Sequence, residues 1–338
     1  MKKWYYFVLL CAPISTSIGQ SNSEMHEGFD DPIVYNSHYF QKLIDSSNTF
    51  YFEGNHTQSL EINIELLGRA IEVGDDYYTH YGYRHMAYDY MALEDTLSAR
   101  ENFEKSERYA KLSKNDTAIA LTYMDLANFY SEAKGDHSKA LDYHDQSIRL
   151  FNKIKDSTGL AKAHYNTIMT ALEASDYNKA LIHIIRAKKL NKFEEHSSFS
   201  IGLDNMIGEY YLRRGNYELA ERYLNKAITA AEAIDLTEEL ESAYADLSET
   251  YEKQERYKEA YGALTKHQQY AEENDNNLVS SAAQALSAKF QISEYRKDVR
   301  AAELQSKLQE ELIQNKSKLN NFLLIVSICF LIILFILY

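Results

Sequence analysis

Cysteine is nearly absent. The 338-residue chain has two, Cys11 and Cys329, each inside an apolar segment at one end. The residues between them have none, which excludes a disulfide framework or a cysteine metal site there. It also suits an oxidising compartment, where free thiols mispair. Proline is as scarce: Pro13 and Pro32, with none in residues 33–338. Proline breaks helix interiors and punctuates turns and sheet connections. Its absence, with only 12 glycines and no runs of alternating β-branched residues, predicts helices joined by short loops. Tryptophan occurs once, as Trp4, and 28 tyrosines carry the aromatic load. No glycine-rich phosphate loop, HExxH or nucleophile elbow occurs, so neither catalysis nor a cofactor is expected.

Positive charge is also short. There are 36 Lys and Arg against 50 Asp and Glu, a net of −14. Without Lys2 and Lys3 the balance is −16. Such a surface repels phosphate backbones, which argues against nucleic acid as a partner of residues 20–320.

The two ends set the expected compartment. Lys2 and Lys3 precede a short apolar run from Trp4 to Ile14, and the small residues Ser15, Ser17 and Gly19 follow. Residues 1–19 read as a secretory signal cleaved after Gly19. Acylation of Cys11 is the alternative, disfavoured by the bulky Leu10 before it. Residues 20–35 read as a linker. At the other end, Phe322 to Tyr338 is uncharged throughout and makes about 25 Å of helix. That is near the lower limit for a span, and residues 321–338 are expected to cross a membrane once. The expected localisation is a single-pass membrane protein with residues 20–320 outside the cytoplasm.

What the chain does have is an internal period. Six helix-turn-helix units align on a small residue early in each second helix: Ser59, Ala99, Ala140, Ala180, Ala220 and Ala260. The steps are 40, 41, 40, 40 and 40 residues. The clearest unit starts at Ile201. Gly208 stands where two helices must touch, and Tyr211 fills the space between the paired helices. Gly215 and Asn216 make the turn, Tyr217 packs as the second helix begins, and Ala220 allows close approach. Leu224, Ala227 and Ile228 complete the inner face. The next unit repeats this plan with Leu247, Ser248, Tyr251, Tyr257, Ala260 and Leu264. The one extra residue falls in a turn between Tyr130 and Gly135. Each pair carries an apolar stripe that only stacked neighbours can bury.

This small–aromatic–small pattern resembles the tetratricopeptide repeat, over residues 36–277. The usual tryptophan position holds Leu43, Tyr83, Tyr123, His164, Asp204 and Tyr244, the terminal proline is missing, and the period is 40 rather than 34. The resemblance implies an all-α, right-handed superhelix with a concave inner face. Long-period relatives are familiar in bacterial regulators that sense peptides or proteins. Residues 278–320 read as one long helix. Leu278, Ala282, Leu286 and Phe290 can cap the last repeat. Ala301, Leu304, Leu308, Leu312 and Leu319 form an imperfect coiled-coil stripe, which fits either a single stalk or a homodimer.

Histidines lie near one another at His80 and His85, and at His137 and His144, but nothing completes a metal site, so none is expected. The pairs Asp75–Asp76 and Glu194–Glu195 read as loop or cap carboxylates. The resemblance places the concave face on the first helix of each unit, at its second, fifth, ninth and twelfth positions. These positions give Tyr81, Arg84, Tyr88, Met91, Met124, Asn128, Tyr165, Met169, Asn205, Glu209, Leu212 and Glu249. Tyrosine, methionine and arginine are favoured at binding surfaces, while the plainer reading of each is packing between helices. Asn128 and Asn166 match two positions of the family's carboxylate clamp. Met124, Gly202 and Met206 occupy its basic positions, so that mode of recognition is not expected.

The function expected is a membrane-anchored, extracytoplasmic module that binds a protein or peptide in the groove, sensory or scaffolding in role. Two alternatives stand beside it. The order of segments resembles the sensory half of Bacteroidota-type membrane regulators, whose histidine kinase or DNA-binding output would be missing or separate. An envelope assembly scaffold would read the same way.

Overall fold

The computed structural model describes residues 36–190 and 197–274, and Lys316 beyond them. The expected signal segment, linker and membrane span lie outside the described residues, as does the stalk apart from Lys316. Among the described residues there is no strand, and no helix is long and apolar enough to cross a membrane. The chain divides into two compact units, Met1–Ala285 and Leu286–Tyr338, and the helices below belong to the first.

Among the described residues of this unit twelve helices follow one another: α1 (Ser37–Phe52), α2 (His56–Val73), α3 (Asp76–Ala92), α4 (Thr96–Leu112), α5 (Asp116–Glu132), α6 (His137–Lys153), α7 (Ser157–Glu173), α8 (Tyr177–Leu190), α9 (Ser198–Arg213), α10 (Tyr217–Ala233), α11 (Thr237–Lys253) and α12 (257–274). Their boundaries come from a two-residue device repeated at almost every turn. One residue adopts the left-handed conformation that closes a helix, and the next is an N-cap. The left-handed residues are Gly54, Gly74, Glu94, Lys114, Gly135, Lys155, Ser175, Gly215, Asp235 and Glu255. Successive ones lie 20 or 21 residues apart, and Ser175 and Gly215 lie 40 apart. The N-caps after them include Asn55, Asp75, Asp95, Asn115, Asp136, Asp156 and Asn216, each accepting from a backbone N–H of the first turn. Asp75 of the acidic pair 75–76 is one of these caps. A typical helix has 17 residues and a turn has three, so two of each give the 40-residue period. The loop between α5 and α6 has four residues, which is where the extra residue falls.

Packing follows the same register. The six aligned small residues all lie on second helices and all are buried. At Gly208 on α9 a Cβ would meet Leu224 Cγ at 2.6 Å, so glycine is what lets α9 and α10 touch. Tyr211 stacks on Tyr223 across the same pair, with centroids 5.8 Å apart. Each first helix packs against the first helix of the next unit, from α1 through α11, while α2, α4, α6, α8 and α10 make no comparable contacts among themselves. The first helices therefore form a continuous layer, and α7 is buried at every residue from 161 to 172.

The sixth pair departs from the plan. Tyr257 and Leu264 were expected to pack, yet they are 67% and 42% exposed. The residues aligned with Leu264, namely Phe103, His144, Ile184 and Leu224, are buried to 5% exposure or less. No described helix follows α12 to cover this face.

Candidate binding face on the first helices

The groove positions fall on α3, α5, α7, α9 and α11. Arg84, Tyr88, Met91, Met124, Asn128, Tyr165, Met169, Asn205 and Leu212 are buried, whereas Tyr81, Glu209 and Glu249 are partly exposed. The structure gathers them into separate groups rather than one continuous strip.

The first group joins α3 to α5. Arg84 donates through Nε to Asp125 Oδ2 at 2.5 Å and through Nη2 to Asp125 Oδ1 at 3.1 Å. The Tyr88 hydroxyl donates to Asp125 Oδ1 and accepts from Arg84 Nη2 at 3.1 Å. A bidentate, fully desolvated pair of this kind is geometrically demanding and holds two units in register. Tyr81 stands on the same helix, its ring 5.1 Å from Tyr77 and 5.8 Å from His85.

The second group spans α7, α9 and α11. Asn205 donates to Glu239 Oε2 at 3.0 Å. Gly202 sits between this carboxylate and Tyr165, since a Cβ there would meet the Tyr165 hydroxyl at 2.2 Å and Glu239 Oε1 at 2.9 Å. Burial, and then the Glu239 charge, holds the Tyr165 phenol well above its ordinary range, so it stays protonated. Tyr165 and Met169 also belong to the apolar cluster containing Phe199, Leu203 and Ile207. Met124 packs with Ala120, Phe151 and Ala163.

The third group is charged and partly accessible, with Asp246 its buried member. Arg213 donates to both oxygens of Glu249 at 2.9 and 3.0 Å. It lies 3.9 Å from Glu209 and 3.9 Å from Asp246. One guanidinium thus stands among three carboxylates, on neighbouring first helices.

Between these groups, the amide oxygens of Asn128 and Asn166 are buried and accept no hydrogen bond. Near the end of α5, burial and then the neighbouring Glu173 push the buried Glu132 well above the usual carboxylate range.

Sequence reasoning missed Asp125, Glu239, Asp246 and Arg213. The signal was partial, a charge at first-helix positions where some aligned units are neutral, although Asp125 and Asp246 share one register position and Arg213 aligns with Glu132, Glu173 and Lys253. Asp125 stands opposite Asn166 and Met206 in register, and Glu239 opposite Phe199. Of the histidines, His80 is hydrogen-bonded to Ser106 at 2.8 Å and His144 to Thr170 at 3.1 Å. His164 and His183 meet at 2.9 Å through their Nδ1 atoms. Among the described residues, no three or more His, Cys, Asp or Glu side chains form a group that could hold a metal ion.

No protein-family model matches the chain, and none of the curated proteins does. Solved structures do. The apo form of RapI is similar over 72% of this chain and 87% of its own, with a TM-score of 0.58 and 16% identity. A Rap protein complexed with competence and sporulation factor follows at 0.52 and 14%, covering 70% of this chain and 76% of that one. BtubC from P. vanneervenii stands at 0.51 and 13%, over 70% and 92%. RapI is a tetratricopeptide-repeat protein, and the chain has that fold. At such identities the likeness extends to the fold alone.

Proposed function

We propose that this chain is a protein- or peptide-binding module that acts by holding a partner along its first helices, without catalysis. The observation that carries the reading is the makeup of the first-helix layer. It is built with Arg84, Tyr88 and Asp125 at one end and Arg213 among Glu209, Asp246 and Glu249 at the other. A layer needed only for packing would be apolar, because burying charge is costly unless it is paired. Asn128 and Asn166 add two acceptors without donors, which backbone N–H groups of a bound segment would satisfy once the side chains rotate. Repeat folds of this type typically serve as binding scaffolds, and one neighbour was solved in complex with competence and sporulation factor.

The finer reading adds a right-handed superhelical groove and an address. Residues 1–19 export the chain, 321–338 tether it, and 20–320 face away from the cytoplasm. In this reading the stalk holds the module at the membrane or passes its occupancy to a separate output protein.

The test is photo-crosslinking of the full chain in its native membranes. A benzophenone amino acid at Tyr81 or Glu249 should give one band of defined added mass, whereas the same probe at Glu104 on α4 should give none. Equal crosslinking from both faces, or none from the first helices, would remove the binding face from this account.

A further inference from the structure

Second helices turn their outer faces to solvent; α12 exposes Tyr257, Tyr261 and Leu264 there, while α4, α6 and α10 carry polar residues at the two central positions compared below. Helix α8 differs. Leu181, Ile182 and Ile185 are 37%, 48% and 60% exposed. The residues aligned with Ile182 are Glu61, Glu101, Asp142, Arg222 and Gly262, and those aligned with Ile185 are Ile64, Glu104, Asp145, Asn225 and Thr265, so Ile64 is the one apolar counterpart. The buried side of α8 is ordinary: Ala180, His183, Ile184 and Ala187 pack inward. Its outer arc is a second apolar face with nothing described against it.

The charge of α8 is as exceptional as its hydrophobicity. Tyr177–Leu190 contains Lys179, Arg186, Lys188 and Lys189 and no Asp or Glu. Each of α1 to α7 and α9 to α12 carries at least one acid. On a helical projection at 100° per residue, Arg186 falls on one side of the Leu181–Ile185–Ile182 arc and Lys188 on the other, with Lys189 within it. Arg186, Lys188 and Lys189 are all exposed. Lys188 donates to Tyr223 at 3.3 Å, and Lys179 lies 3.8 Å from Asp145.

Exposed long aliphatics flanked by cations, in a chain whose net charge is −14, match an interface that is apolar beneath and anionic above. We infer that the outer face of α8 docks on the surface of an anionic lipid bilayer, with Leu181, Ile182 and Ile185 entering the headgroup boundary and Arg186, Lys188 and Lys189 meeting lipid phosphates. An amphipathic helix lying in the membrane plane buries its apolar face about 5–10 Å deep, and its basic residues add attraction to anionic headgroups. An acidic protein partner would complement the lysines but leave the three aliphatics without purpose. The inference is independent of the binding face on the first helices, which lies on the other layer.

The test uses the full chain reconstituted in lipid vesicles, with Ile185→Trp as the probe and the unsubstituted chain subtracting Trp4. With about 30% phosphatidylglycerol in brominated phosphatidylcholine, the probe should shift to the blue and lose about half its emission. In phosphatidylcholine alone it should emit as an exposed residue. Combined reversal of Arg186→Glu, Lys188→Glu and Lys189→Glu should abolish the quenching while circular dichroism stays unchanged. Inorganic phosphate should not reproduce the shift. Solvent-like emission in both vesicles overturns the proposal. So does quenching that ignores lipid charge.

Discussion

At the scale of single residues, buried ionisable groups make this fold sensitive to protons from two directions. Asp89 on α3 is fully buried, and Asn63 donates to its Oδ2 at 2.7 Å while Oδ1 has no partner. Burial outweighs the hydrogen bonds from Ser59 and Asn63 and pushes its pKa up to about 8. The unfolded chain releases this proton near pH 4 and the folded chain retains it. Its contribution is therefore fully present below about pH 4 and lost as pH rises to about 8. The buried histidines act in the opposite sense. Burial lowers His80, His85 and His144 to about 3, and His164 and His183 to about 4. Their contribution is complete above about pH 6.5 and lost as pH falls through 4 and 3. Asp89→Asn keeps the shape and the acceptor for Asn63 while removing the titration. Urea midpoints between pH 4 and 9 should show the variant more stable than the parent at pH 8, by on the order of a few kcal/mol, and nearly equal to it at pH 4. A constant offset across that range would show that Asp89 does not titrate in the folded chain.

At the scale of helices and turns, stability rests on a 20-residue rhythm with unequal quality at its joints. Gly54, Gly74, Gly135 and Gly215 take the left-handed conformation at little cost, but Glu94, Lys114, Lys155, Ser175, Asp235 and Glu255 take it with a Cβ. Outside glycine that region is strained. Lys155 is exposed, and φ there is 59°. Lys155→Gly should stabilise the full chain by about 0.5–1 kcal/mol, read as a higher urea midpoint with unchanged slope; a lower midpoint would mean that the lysine side chain matters more than its backbone. These joints also explain how much was legible beforehand. The 40-residue period, the turn at Gly215 and Asn216 and the closeness demanded at Gly208 could be read because each rests on local chemistry. The strained closers at Glu94 or Lys155 could not, since nothing in their residue type announces a positive φ. The partners of the binding face were hidden for another reason. That Arg84 meets Asp125, 41 positions away, depends on how one unit stacks on the next, which periodicity alone does not fix. Nor did the period foretell that Tyr257 and Leu264 would be open, because their burial elsewhere is supplied by a following pair.

At the scale of the whole array, each unit is held mainly by its neighbours, so the strength of one junction decides whether the row unfolds as one body. The junction between the second and third units contains a buried charge pair where the one between the third and fourth has Met124, Phe151 and Ala163 in contact. A buried pair adds little net stability over an apolar substitute, yet removing one partner strands the other and typically costs about 3–5 kcal/mol. Asp125→Ala would leave the Arg84 guanidinium, 4% exposed, without its carboxylate. That penalty falls on the junction alone, since helix α5 itself loses no cap and gains a better helix former. The full-length variant should then unfold in urea in two steps by circular dichroism, with α1–α4 separating from α5–α12, whereas the parent unfolds in one. Replacing both partners, Arg84→Met with Asp125→Leu, should restore a single step because no charge is left unpaired. If the alanine variant instead unfolds in one step at the parental midpoint, the pair does not couple the units. Its place beside Tyr88 would then be explained by the partner it meets rather than by the fold it supports.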